Sequence, residues 1–139
     1  MLKAAAAKVY QSGLALVLGT AFALASPAVL ARKTTDFSVT LPGFEAIALT
    51  DLPREGQTTY SRILQGGPFS SDKDGAVFGN RERILPRQSR GYYREYTVRT
   101  PGARNRGARR IVCGGLQVQV PDACFYTGDH YSSFQQIIP

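Results

Sequence analysis

The sequence predicts an α+β fold, with one N-terminal helix packed on an antiparallel β-sheet. Three observations lead to it. Its 139 residues allow one small domain. Apolar residues at helical spacing, bounded by Pro53 and by Gly66-Gly67, occur in the first half of that domain. After Ala76 the pattern changes to short aromatic and β-branched runs separated by Gly, Pro and Asn turns, and a helix followed by strands is the α+β order.

Residues 1–31 read as a secretory signal and not as part of the domain. Lys3 and Lys8 supply a positive start, Gly13 to Ala25 is an uncharged apolar run, and Pro27 breaks any helix. Val29-Leu30-Ala31 then offers a site for signal peptidase. A membrane anchor is the competing reading, but the run falls short of the ~20 apolar residues that span a bilayer. Cleavage is expected after Ala31, with Ala23-Leu24-Ala25 a second acceptable site. A secreted, extracellular protein with no membrane contact after signal removal follows. Residues 32–50 show little periodicity and are assigned to a lead-in segment, leaving 51–139 as the domain.

A helix is expected from Asp51, with Pro53 in its first turn and Gly66-Gly67 as its stop. Tyr60, Ile63 and Leu64 fall on one face and predict the core-facing stripe. Ser71 to Gly75 is turn chemistry. Ala76-Val77-Phe78 starts a strand that leads into a loop ending at Leu85-Pro86. Tyr92 to Arg99 predicts a full strand, with Tyr93, Glu95, Thr97 and Arg99 on one side and Tyr92, Arg94, Tyr96 and Val98 on the other. Thr100-Pro101-Gly102 turns the chain. The next strand is expected from about Arg106 to Cys113, placing Arg106, Ala108, Arg110 and Val112 together. Strands at Phe125-Tyr126 and Tyr131 to Ile138 complete the sheet.

The chain carries a net charge of +7, two units of which leave with Lys3 and Lys8. A basic exported domain attracts polyanions. From Arg81 to Arg110 every basic residue is an arginine, whose planar fork suits bidentate contact with phosphate. Cys113 and Cys124 allow one intramolecular pairing, and exported chains form and keep disulfides. One histidine and two cysteines at this spacing do not resemble a zinc site. A structural disulfide is expected, and no metal.

Glu95 is the first candidate for chemistry. A mid-strand carboxylate is ordinarily a solvated or ion-paired group. Here Arg106 and Arg110 are expected on one face of the neighbouring strand, with Arg104 in the turn between. A carboxylate facing guanidinium groups makes a pocket that could hold a phosphate beside a general base. His130, the only histidine, lies in the tight turn Thr127-Gly128-Asp129-His130-Tyr131, where side chains are presented and not buried. Imidazole is the side chain suited to donating a proton to a leaving oxygen near neutral pH.

These residues sit inside longer matches. Tyr92 to Val98 (YYREYTV), Thr100 to Ile111 (TPGARNRGARRI), Tyr126 to Phe134 (YTGDHYSSF) and Val77 to Glu82 (VFGNRE) together strongly resemble the small bacterial guanyl-specific ribonucleases, the class that includes barnase. The resemblance runs from about Leu52 to Ile138. It implies that Glu95 is a general base and His130 a general acid. It makes Arg106 and Arg110 a catalytic, phosphate-binding pair, with Arg104 as an auxiliary contact. It assigns guanine recognition to Phe78, Gly79, Asn80, Arg81, Glu82 and Tyr131. Phe78 and Tyr131 contact the base or brace its pocket, and Gly79 offers only backbone where relatives often carry a polar side chain. The segment Gly114 to Ala123 looks longer than the family's usual loop, stapled by the cysteines.

The implied substrate is single-stranded RNA, cut 3′ of guanosine through a 2′,3′-cyclic phosphate to a 3′-phosphate. No cofactor is implied, because the attacking 2′-OH belongs to the substrate. A small acidic barstar-like inhibitor protein is an implied partner, and a monomer the implied state. The reading from a different class is a non-catalytic secreted protein binding RNA or other polyanions. Glu95 separates the two, since a carboxylate inside an arginine cluster weakens plain anion affinity.

Overall fold

The computed structural model describes residues 40–139. The expected signal segment, its two cleavage positions and the first part of the lead-in lie outside the described residues. Among the described residues the elements are β1 (Glu45–Ala48), a 3-10 turn (Leu49–Asp51), α1 (Arg54–Gln65), β2 (Ala76–Val77), β3 (Tyr93–Thr97), β4 (Arg110–Gly114), β5 (Ala123–Thr127) and β6 (Gln135–Ile138). One six-stranded sheet runs in the order β1-β6-β5-β4-β3-β2. The α+β class and the helix-then-sheet order are as expected.

Four details differ from expectation. The sheet is mixed, because β1 lies parallel to β6 while every other pair is antiparallel. That strand falls in residues assigned to the lead-in. Its short EAIA run carries too few residues for a period-two signal, and its partner is ninety positions away in sequence. Asp51 closes a 3-10 turn that starts at Leu49, and α1 starts only after Pro53. The strand expected from Arg106 begins at Arg110, and that expected from Tyr131 begins at Gln135.

α1 ends where Gly66 adopts φ 81°, a left-handed conformation that costs glycine little, and its N–H meets the Ile63 carbonyl. The buried stripe is Gly56, Thr59 and Ile63, whereas Leu64 is exposed. Small residues on that face bring the helix close to the sheet, and the Thr59 hydroxyl donates to the Thr97 carbonyl at 3.1 Å. Ile63 is fully buried, a gain of about 1.5–3 kcal/mol over an exposed side chain.

Strand alternation divides the core in two. Tyr96, Ile111, Cys113, Cys124 and Ile137 face α1, with Leu52 and Ile63. Tyr93, Val112 and Phe125 face the other way, with Leu85 and Phe134. In the β3–β4 register Glu95 opposes Val112 and Thr97 opposes Arg110, so all four share this second face. Gly114 leaves room there for the rings of Tyr92 and Tyr93, since a Cβ at this position would collide with both. The functional candidates sit on the face away from the helix, where loops and not a second layer complete the cover.

Candidate active site

Glu95 occupies the middle of β3, and two donors hold its carboxylate. Arg106 Nη1 donates to Oε1 at 3.2 Å, and the Tyr131 hydroxyl donates to Oε2 at 2.5 Å. Its side chain is 17 % exposed, enough to meet a ligand. Burial first, then the hydrogen bond and charge of Glu95, push the Tyr131 phenol up to about 12. Tyr131 therefore stays a neutral donor to the carboxylate.

Arg106 does not reach Glu95 along a strand, as the sequence suggested. It sits in the loop before β4 and is aimed by Thr97, whose hydroxyl accepts from Arg106 Nε at 2.7 Å. That hydroxyl donates in turn to Asp74 Oδ1 at 2.6 Å, and the same oxygen accepts from the Thr97 backbone N–H at 2.7 Å. Arg106 Nη2 stands 3.5 Å from Asp74 Oδ1, an ion-pair distance. Arg110 does lie on the strand face and is 3 % exposed. Its Nη1 donates to the carbonyls of Gly107 and Arg109 at 2.9 and 2.7 Å, while its Nε has no acceptor among the described residues. Arg104 lies exposed in the 103–105 turn, and neither it nor Arg106 nor Arg110 is among the residues lining the cleft described below.

His130 is set by the turn between β5 and β6. Asp129 Oδ1 accepts from the Thr127 hydroxyl and from the N–H groups of Ser132 and Ser133, and Oδ2 accepts from the Ser133 hydroxyl. Thr127 Oγ1 also accepts from the Tyr131 N–H. These bonds hold His130 and Tyr131 at φ 56° and 73°, conformations that cost ordinary residues free energy. The His130 N–H reaches the Ala108 carbonyl at 3.2 Å, tying the turn to the arginine loop. The imidazole is exposed.

The third part is the 78–85 loop. Asn80 has φ 46°, and its side chain is occupied by Leu85, donating to the carbonyl at 2.8 Å and accepting from the N–H at 3.1 Å. The Asn80 side chain thus shapes the loop. The rings of Phe78 and Tyr131 pack against each other at 5.0 Å between centroids, tilted by 31°.

The three parts border one cleft of about 1170 Å³. Its lining includes Phe78, Gly79, Asn80, Arg81 and Glu82 on one side and Glu95, His130 and Tyr131 on the other. Two charged groups that sequence reasoning did not single out belong here. Asp74 was read only as turn chemistry, and Arg90, which borders the cleft, was seen only as part of the arginine run. The cleft offers a carboxylate and an imidazole at one opening, with Arg106 bonded to that carboxylate and Arg110 set 6.0 Å from the Tyr131 ring centroid, and such a pair can move a proton on either side of a phosphodiester.

A family model described as ribonuclease matches residues 35–138. Guanyl-specific ribonuclease St of Saccharopolyspora erythraea is 51% identical over 96 residues, covering 69% of this chain and 90% of that protein. Guanyl-specific ribonuclease Sa of Kitasatospora aureofaciens is 50% identical over 91 residues, covering 66% and 91%. Among solved structures, ribonuclease Sa2 with guanosine-2′-cyclophosphate superposes with a TM-score of 0.62 at 42% identity, covering 69% of this chain and 97% of that one. Ribonuclease Sa2 with 3′-GMP gives 0.61 at 41% identity, covering 69% and 98%.

Proposed function

The chain belongs to the family of guanyl-specific microbial ribonucleases, and from that membership we propose a secreted endoribonuclease that cuts single-stranded RNA 3′ of guanosine. Glu95 takes the proton from the ribose 2′-OH, which attacks the adjacent phosphorus. His130 protonates the departing 5′-oxygen, and a 2′,3′-cyclic phosphate forms. Water then opens the ring to a 3′-phosphate with the two roles exchanged. Positioned acid–base groups of this kind contribute about 10²–10⁴-fold. Arg106 and Arg110 stabilise charge growing on the non-bridging oxygens, which favours the transition state over the bound substrate. DNA lacks the 2′-OH and is bound without being cut.

Guanine selection follows from donor and acceptor patterns. The Glu82 carboxylate accepts from guanine N1–H and the exocyclic amine, while N–H groups of the 79–81 backbone meet O6 and N7. Adenine presents the opposite pattern and leaves buried groups unpaired, at about 1–3 kcal/mol for each lost partner. The observation that carries this reading is the cleft shared by Glu95, His130 and the 78–82 segment.

A defined RNA digested in EDTA tests it. Cyclic phosphate ends after guanosines are expected, and Glu95→Gln should abolish cleavage while preserving or tightening RNA binding. Cleavage undiminished in that variant would refute the mechanism, and binding without cleavage by the native protein would favour a plain polyanion binder. The basic charge also supports a small acidic inhibitor as partner, because opposite charge speeds encounter. A pull-down from the producing cells that yields no tight acidic partner would count against it. Export as a monomer rests on the N-terminal pattern and domain size, and N-terminal sequencing and light scattering of culture supernatant test both.

A further inference from the structure

The hairpin tip between β4 and β5 gathers apolar side chains in water. Leu116 is 93 % exposed, Val120 66 % and Val118 41 %. The other exposed large apolar side chains, Leu64, Val77 and Ile84, come from three separate segments. Single exposed apolar residues are ordinary, whereas several on one protrusion mark a contact surface.

The tip is pinned at its neck by the Cys113–Cys124 disulfide. The Asp122 N–H donates to the Gly114 carbonyl at 2.8 Å, the Gly115 N–H to Tyr92 at 3.2 Å and the Val120 N–H to Gln117 at 3.2 Å. The Gln119 side chain lies against Gly66 at the end of α1. The apolar side chains are thus presented at little ordering cost. No residue from Gly114 to Pro121 is charged, and Asp122, the acidic group at the neck, accepts from the Tyr92 hydroxyl at 2.8 Å. The groove at the base of the tip, bordered by Gln117, Val118 and Pro121, includes Arg94 and no acidic residue. The tip extends from the Cys113–Cys124 end of the β4–β5 pair, while Arg110 and Thr127, which leads into the His130 turn, oppose each other at the far end. That separation is about 10 Å at roughly 3.4 Å per residue. No tip residue lines the catalytic cleft.

Charge selects what covers this surface. The chain stays net basic even without Lys3 and Lys8, which repels a second copy and favours an anionic surface. Three side chains also fall well short of the ~800 Å² that each partner buries in a stable protein complex. A bilayer needs no matching groove, because fluid acyl chains conform to whatever enters them. We propose that residues 115–121 anchor this protein on a bilayer containing anionic phospholipid, with Leu116, Val118 and Val120 in the acyl boundary and the cleft left open to solution. No catalytic group takes part, so the anchor stands apart from the ribonuclease reading.

The test sediments native protein and the triple variant Leu116→Gln, Val118→Thr, Val120→Thr with vesicles of phosphatidylcholine, alone or mixed with phosphatidylglycerol. Native protein should partition onto the anionic vesicles about tenfold or more above the neutral ones. Each apolar side chain withdrawn from water is worth about tenfold. The triple variant should therefore bind a hundredfold or more weakly, while keeping native circular dichroism and RNA cleavage. The sequence has no tryptophan, so Leu116→Trp places the one indole at the tip. Its emission should shift to the blue on anionic vesicles and be quenched by brominated acyl chains. A triple variant bound as tightly as native protein, or unchanged emission from bound Leu116→Trp, would overturn the anchor and leave attraction by the arginines alone. Equal binding to both vesicle types would overturn the anionic requirement. Self-association in light scattering that the triple variant loses would overturn the bilayer in favour of a second copy.

Discussion

Asp74, Thr97, Arg106 and Glu95 form a line of polar contacts that ends at the carboxylate assigned the base role. Asp74 has a side chain 1 % exposed, and its Oδ1 receives both donors of Thr97. The Thr97 hydroxyl, with its proton directed to Asp74, turns a lone pair to Arg106 Nε, which leaves Nη1 for Glu95. Asp74 is thus a positioning residue for Arg106. Asp74→Ala strands buried donors and should lower unfolding free energy by about 3–5 kcal/mol, read by urea denaturation. Asp74→Asn keeps an acceptor but removes the ion pair. It should fold, with kcat/KM for RNA about tenfold lower, on the scale of one weakened charge-assisted contact. An Asn variant with native kinetics would show that Arg106 needs no such support. Nothing in SDKDG announces this role, because Thr97 lies 23 positions away and only the β2–β3 pairing brings them together.

At the scale of elements, two short irregular segments carry His130 and Arg106, and both are held by side-chain hydrogen bonds. The 127–133 turn depends on Asp129, whose carboxyl is held at about 2, below its usual 3.8. The Ser133 hydroxyl contributes most, then the Ser133 N–H, with Thr127 and Ser132 adding to it. Because the folded value is depressed, the stabilisation is present above pH 3.8 and is lost as pH falls toward 2. Native protein should therefore exceed Asp129→Asn in thermal stability at neutral pH, with the gap closing across that acid window. A gap independent of pH would contradict the carboxylate's part in the turn. The 100–109 loop is the second such segment. From about Arg106 its sequence reads as a strand leading into Cys113, yet Arg110 Nη1 caps the carbonyls of Gly107 and Arg109, and the strand begins only at Arg110. Strand periodicity could not report that, since both conformations place Arg106 and Arg110 near one another.

Across the whole molecule, the sheet separates stability from chemistry. Cys113 and Cys124 oppose each other on β4 and β5 and form a disulfide on the helix-facing side, while Glu95 and Arg110 lie on the other. The bridge spans 11 positions and should contribute about 3 kcal/mol or slightly less by constraining the unfolded chain. Replacing both cysteines with alanine should lower Tm by more than about 10 °C for a domain of this size. Guanosine cleavage at room temperature should stay near native. Loss of activity at a temperature where circular dichroism still shows a folded protein would mean that the bridge also shapes the cleft.

The sequence by itself determined the fold class, the helix and its glycine stop, the disulfide, and most of the residues around the cleft. Those features are written in local patterns: period, turn chemistry, cysteine number and motifs whose residues lie within a few positions of one another. Tertiary structure alone decided that β1 joins the sheet edge in parallel, that Asp74 and Thr97 aim Arg106, and that the Asn80 side chain is spent on its own loop. Each depends on groups far apart in the chain, and a hydrogen bond between distant residues leaves no period or spacing in sequence. It exists only once strand pairing has set the distance between donor and acceptor.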